Sequence, residues 1–124
     1  MKKDIYERTF DFALRITKLC QVLLEKPGAG RTIGKQLLRS GTSIGANVEE
    51  GKSGQSRADF VSKYSISLKE ARETHYWLRL LAASEIPVAQ GLDELLDECD
   101  ELIAILTAII KGTKKRKQEE IVKK

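Results

Sequence analysis

The chain has 124 residues, 41% of them hydrophobic and 32% charged, with nine glycines, two prolines and two cysteines. That length supports one hydrophobic core but not two, and the longest apolar run, nine residues from Leu102 to Ile110 with Thr107 inside it, is too short to span a bilayer. The net charge of +4 is polarised: residues 111–124 hold seven Lys/Arg against two Glu, residues 80–110 hold seven acids and no Lys or Arg, and residues 1–79 carry 15 basic against nine acidic groups, which excludes a uniformly basic nucleic-acid coat.

The N-terminal run Met-Lys-Lys-Asp-Ile-Tyr-Glu-Arg has no apolar segment of the kind a secretory leader needs, so the expected location is cytoplasmic. There Cys20 and Cys99 stay reduced, and both fall on apolar helical stripes as small core residues. The first predicted helix runs from about Asp4 to Lys26. One stripe carries Tyr6, Phe10, Ala13, Cys20 and Leu24, with Phe12, Ile16, Leu19 and Leu23 beside it. Pro27-Gly-Ala-Gly30 ends it with turn residues.

The second helix spans about Thr32 to Glu50, with Ile33, Leu37, Ile44 and Val48 at helical spacing and Gly51 suited to a left-handed C-terminal cap. Gly34, Gly41 and Gly45 each cost roughly 1 kcal/mol against Ala inside a helix, which implies that another helix passes very close. Beside the apolar stripe runs a polar one of Ser40, Ser43, Asn47 and Glu50. Ser56-x-x-Asp59 reads as an N-terminal cap for a third helix, about Ala58 to Ser84. That helix carries Phe60, Tyr64, Ser67, Ala71, Thr74, Leu78 and Leu81 in steps of four and three. After Pro87 and Gly91, a fourth helix from about Leu92 to Lys111 shows a heptad-like seam of Leu92, Leu95, Cys99, Leu102, Leu106 and Ile109.

No segment alternates with period two, so the expected fold is all-α: an antiparallel up-down-up-down four-helix bundle. It occupies residues 1–112, followed by a basic C-terminal tail, residues 113–124, that is either disordered or a frayed helical extension.

The chemistry-bearing residues argue against catalysis and against a cofactor. A di-metal carboxylate centre needs two Glu-x-x-His pairs, whereas the single histidine, His75, follows Glu73 by two positions and so lies about 200° round the helix from it. One His and two distant Cys supply too few strong ligands for another metal site. His75 reads instead as an interhelical hydrogen-bonding or surface residue. Ser40 and Ser43 have no histidine partner in sequence reach, and Gly41-Thr-Ser-Ile-Gly45 lacks the order of a phosphate loop and sits mid-helix.

Two constellations remain. The stripe Ser40, Ser43, Asn47 and Glu50, set against Glu70, Glu73 and Trp77, reads as a polar layer between helices, with a ligand pocket or a solvated face as the alternatives. Arg31, Lys35 and Arg39 align at steps of four, and with the run Lys114, Lys115, Arg116 and Lys117 they form candidate phosphate contacts; the alternative is an ordinary solvated face.

The run Gln36-Leu-Leu-Arg-Ser-Gly-Thr-Ser-Ile-Gly-Ala-Asn-Val-Glu-Glu-Gly51, followed by Leu68-Lys-Glu-Ala-Arg-Glu-Thr-His-Tyr-Trp-Leu78, resembles the bacterial four-helix-bundle proteins encoded in intervening sequences of 23S rRNA genes, sometimes labelled ribosomal proteins. The resemblance covers roughly residues 5 to 112. Ser40, Ser43, Asn47, Glu50, Glu70, Glu73 and Trp77 match the family's characteristic positions. The family is similar to the accessory variability protein of diversity-generating retroelements, whose basic pentamer binds nucleic acid. The resemblance thus implies a non-enzymatic homo-oligomer, a ring-like pentamer, with RNA or DNA as candidate partner and no membrane association. The slightly acidic body would leave RNA binding to helix two and the tail. The competing expectation is a protein-protein assembly module with no nucleic-acid binding.

Overall fold

The computed structural model describes residues 3–88 and 91–123. Four helices account for them: α1 (Ile5–Leu23), α2 (Ala29–Lys52), α3 (Arg57–Ala83) and α4 (Leu92–Lys123). The connections between them are five, four and eight residues long, short enough to force each helix to return antiparallel beside the one before it. α2 packs on α1 and α3, and α4 closes the square against α3 and, over a shorter stretch, α1. Among the described residues there is no strand, and no helix is long and apolar enough to cross a membrane.

Two of the helix starts are held by side chains. Asp4 accepts the amide of Glu7 at 2.9 Å to begin α1, and Ser56 accepts the amide of Asp59 at 3.1 Å to begin α3, each satisfying a donor that has no partner within the helix. α2 instead starts after Gly28, at φ +127°. It therefore takes in Ala29 and Gly30, which the Pro-Gly turn signal had placed outside.

The core is one continuous cluster. Phe12, Ile16, Cys20 and Leu23 of α1 meet Leu37, Ile44 and Val48 of α2, Tyr64, Ala71, Leu78 and Leu81 of α3, and Leu95, Cys99, Leu102, Leu106 and Ile110 of α4. Phe10 departs from the expected stripe and is 68% exposed. It lies about 200° from Phe12 around the helix, so the two cannot both face inward, and α1 turns Thr9, Phe12, Ile16, Cys20 and Leu23 to the core.

The glycines of α2 mark where its neighbours come closest. A Cβ on Gly41 would stand 2.8 Å from Cγ2 of Ile16, and one on Gly45 would stand 3.3 Å from the backbone carbonyl oxygen of Thr9. Gly51 is not the left-handed cap its position suggests: it lies inside the last turn of α2, and the only positive-φ glycines among the described residues are Gly28 and Gly91. Its role is steric, since a Cβ there would meet the Tyr64 ring at 2.8 Å. Tyr64 is thereby sunk against α2 and stacks on Phe60 at 4.1 Å between centroids. Burial pushes its phenol well above the ordinary range, reinforced by the neighbouring Tyr6 hydroxyl.

α4 continues past Lys111 to Lys123, adopting the helical form of the basic tail. Thr113 is buried, and the sequence from Lys114 to Glu120 is built of good helix formers. The apolar seam also runs on through Ile110 rather than ending at Ile109.

The packing predicts opposite effects for two glycines. Gly41→Ala should lower stability by about 1–3 kcal/mol through overpacking against the β-branched Ile16. Gly112→Ala should raise it by roughly 0.4–1 kcal/mol, because the new Cβ would meet only the flexible tip of Arg116, at 3.6 Å. Urea denaturation of the two variants checks both signs.

Candidate functional site

The polar stripe of α2 divides into a buried part and a rim. Ser40 is fully buried. The Thr74 hydroxyl of α3 lies 2.9 Å from the Ser40 hydroxyl and 2.8 Å from the Glu70 carbonyl oxygen, so one hydrogen bond crosses the α2–α3 interface through two small side chains. Ser67 donates to the Ile44 carbonyl at 2.8 Å, a second link between these helices, and Cys99 of α4 donates to the Ala71 carbonyl at 3.2 Å. Among the described residues, every buried polar side-chain atom has a partner, so the seam is a satisfied network.

At the rim, Arg39 bridges Glu70 at 3.2 Å and Glu73, while the Trp77 indole donates to Glu73 at 3.0 Å. The structure thus brings Ser40, Glu70, Glu73 and Trp77 together around Thr74 and Arg39. It does not bring the rest of the stripe with them. Ser43 donates to its own helix at the Arg39 carbonyl, Asn47 donates to the Ser43 carbonyl, and Glu50 pairs with Lys63 at 2.7 Å near the bundle's end. Ser67 and Thr74 lay on the predicted core stripe of α3, yet their hydroxyls supply the crossing bonds that complete the layer.

His75 faces α4, with Nε2 2.9 Å from Asp100, an interhelical contact. The cysteines are buried and unpaired. Burial pushes the Cys20 thiol up to about 11 and the Cys99 thiol up to about 12, with Asp100 and Glu98 adding to the latter. Neither is a thiolate at neutral pH, which removes both as nucleophiles.

The predicted basic residues separate in the same way. Arg31 donates to the Leu24 carbonyl at 3.1 Å and so fastens the end of α1. Lys35 is exposed, whereas Arg39 is held by its two glutamates. On the α4 extension, Lys114, Lys115 and Lys117 are exposed, with no salt bridge to a described carboxylate; Arg116 donates to Thr113 at 3.2 Å. Sequence reasoning missed the pair that seats this extension. Arg57, the first residue of α3, makes a two-pronged bond to Glu120 at 2.6 and 2.9 Å. It also missed Arg8, which joins α1 to Glu98 and Glu101 of α4 at 2.6 and 3.1 Å. Partners 63 to 93 positions apart leave no local spacing signal.

These features define an all-α four-helix bundle with a satisfied polar seam and an open basic extension. The chain belongs to the 23S rRNA-intervening sequence protein family, whose model matches residues 1–108. It is similar to a protein of unknown function from the S23 ribosomal protein family of Bacteroides thetaiotaomicron VPI-5482, solved at 1.70 Å. That match has 40% identity and a TM-score of 0.79, and covers 87% of this chain and 99% of the other. No curated protein matches the chain.

The seam and the thiols each yield a test. Thr74→Val removes the bond that links the buried Ser40 hydroxyl to α3, leaving it only the long contact to the Leu37 carbonyl at 3.5 Å, and should cost about 1 kcal/mol. Adding Ser40→Ala should cost less than the sum of the single changes, as read by a double-mutant denaturation cycle. Native protein should react with an aromatic disulfide reagent at pH 8 only slowly, and release two equivalents of thiol once denaturant exposes Cys20 and Cys99.

Proposed function

We propose that this protein is a non-enzymatic, homo-oligomeric bundle that binds structured RNA through the basic extension of α4, with Lys35 and Arg31 of α2 as a secondary patch. The observation that carries the reading is the contrast in how the cations are used. Arg8, Arg15, Arg39 and Lys63 are each engaged by a carboxylate within the bundle, whereas Lys114 and Lys117, one turn apart, and Lys115, about 100° further round the helix, face solvent. A helical array of lysines tracks a phosphate backbone with less ordering cost than a disordered tail. Membership of a family named for rRNA intervening sequences makes RNA the polyanion to test first.

The non-enzymatic reading draws on the site chemistry. The one histidine is tied to Asp100, the thiols are buried and held neutral, and the seam hydroxyls are spent on each other and on backbone carbonyls. Homo-oligomerisation, as a pentameric ring, rests on the resemblance. The exposed apolar side chains Phe10, Leu14 and Val22 on α1 supply surface that a neighbouring copy would cover.

Binding of a structured RNA should weaken on the order of 100-fold between 50 and 200 mM salt if about four phosphates are contacted. The triple change Lys114→Gln, Lys115→Gln, Lys117→Gln should flatten that dependence while leaving the thermal midpoint nearly unchanged. Filter binding at the two salt concentrations, beside light scattering for oligomer mass, decides it. RNA affinity that ignores salt and these lysines would favour the protein-adaptor alternative.

A further inference from the structure

The start of α3 and the extension of α4 enclose a cleft of about 300 Å³ lined by Arg57, Ala58, Val61, Thr113, Lys114 and Lys117. Its volume is at the lower end of the range that holds small ligands. A second hollow of about 360 Å³ continues past Arg57 and Lys117 to Glu120 and Ile121. The two clefts therefore share a pair of cations. One has an apolar floor at Ala58 and Val61. The other holds a single carboxylate, Glu120, gripped by Arg57 through both guanidinium prongs.

We infer that this cleft seats an unpaired nucleotide of the bound RNA, its phosphate displacing Glu120 from Arg57 and its base resting on Ala58 and Val61. The inference rests on the RNA-binding reading above and assigns it a location. A guanidinium that forks onto a carboxylate presents the same planar pair of donors to a phosphate. Lys117 lies on the same side of α4 as Lys114, one turn along, so Arg57 and Lys117 flank the phosphate that replaces Glu120 while Lys114 lines the adjoining cleft. An apolar floor beside the cations accepts the face of any base without reading its edge. Glu120 occupies the anion position when RNA is absent. It seats the extension and keeps Arg57 from attracting unrelated anions.

The displacement step fixes the signs of two substitutions. Arg57→Gln should weaken binding of a fluorescein-labelled 12-nucleotide oligouridylate about tenfold, the loss of one charge-assisted contact. Glu120→Gln should strengthen it several-fold, because the competing carboxylate is gone. If Glu120 only held the extension in place, the same change would loosen the cleft and weaken binding. Anisotropy titrations at low salt read both affinities, with circular dichroism confirming that each variant keeps its helix content. Independently of any variant, 4-thiouridine in the oligonucleotide should crosslink to peptides containing residues 57–62 or 113–121. Two results would overturn the cleft while leaving RNA binding intact: wild-type binding with Arg57→Gln unaffected, or Glu120→Gln weakening binding with crosslinks elsewhere. Absence of salt-sensitive binding by the wild-type protein would remove the RNA reading and the cleft together.

Discussion

The closeness of α2 to its neighbours is the constraint on which the rest of the bundle depends. Gly41 lies under Ile16, Gly45 under Thr9 and Gly51 under the Tyr64 ring, so α2 is pinned along its length by contacts that leave no room for a Cβ at Gly41 and Gly51 and little at Gly45. Each glycine gives up helix propensity, and tight packing against the adjoining side chain offsets it. Gly41 and Gly45 set the approach to α1 and Gly51 the approach to α3, where side chains as short as Ser40, Ser67 and Thr74 bridge α2 and α3. A wider spacing would leave the buried Ser67 hydroxyl without the Ile44 carbonyl it donates to, at a cost of about 1–3 kcal/mol.

The charged rim follows from the same geometry. With the Ser40–Thr74 contact setting the register of α2 against α3, Arg39 falls level with Glu70 and Glu73, and Trp77 lies one turn beyond to donate to Glu73. The bundle thus consumes Arg39 internally. Its exposed position on α2 would suit a phosphate contact, but the two glutamates already neutralise it. What separates structural cations from available ones in this protein is therefore the location of carboxylates on the neighbouring helix. Exposure alone does not distinguish them.

That distinction also explains which features were legible in the sequence. The helix count, the antiparallel order and the core stripe of α3 follow from local periodicity, and Tyr64, Ser67, Ala71, Thr74, Leu78 and Leu81 are all buried. The close approach at Gly41 and Gly45 was visible because glycine inside a helix calls for a steric reason. Gly51 was misread because a glycine at a helix end serves a cap or a close contact equally well, and only the position of Tyr64 decides. Phe10 was misplaced because two apolar stripes on α1 competed for one core. The pairs Arg57–Glu120 and Arg39–Glu70 depend on helices meeting in space, and no spacing along one helix encodes them.

α4 is one unbroken helix of 32 residues, about 48 Å at the usual rise, with Asp93 and Glu94 in its first turn and the lysines at its far end. The acidic start complements the positive end of the helix dipole and the basic finish complements the negative end, so the charge order steadies the helix that carries it. It also gives the molecule a permanent electric dipole of its own, opposed to that of the backbone and set along a single rigid axis. In the field of a polyanion such a rod experiences a torque as well as an attraction, and the torque turns the lysine-bearing end forward before any contact is made.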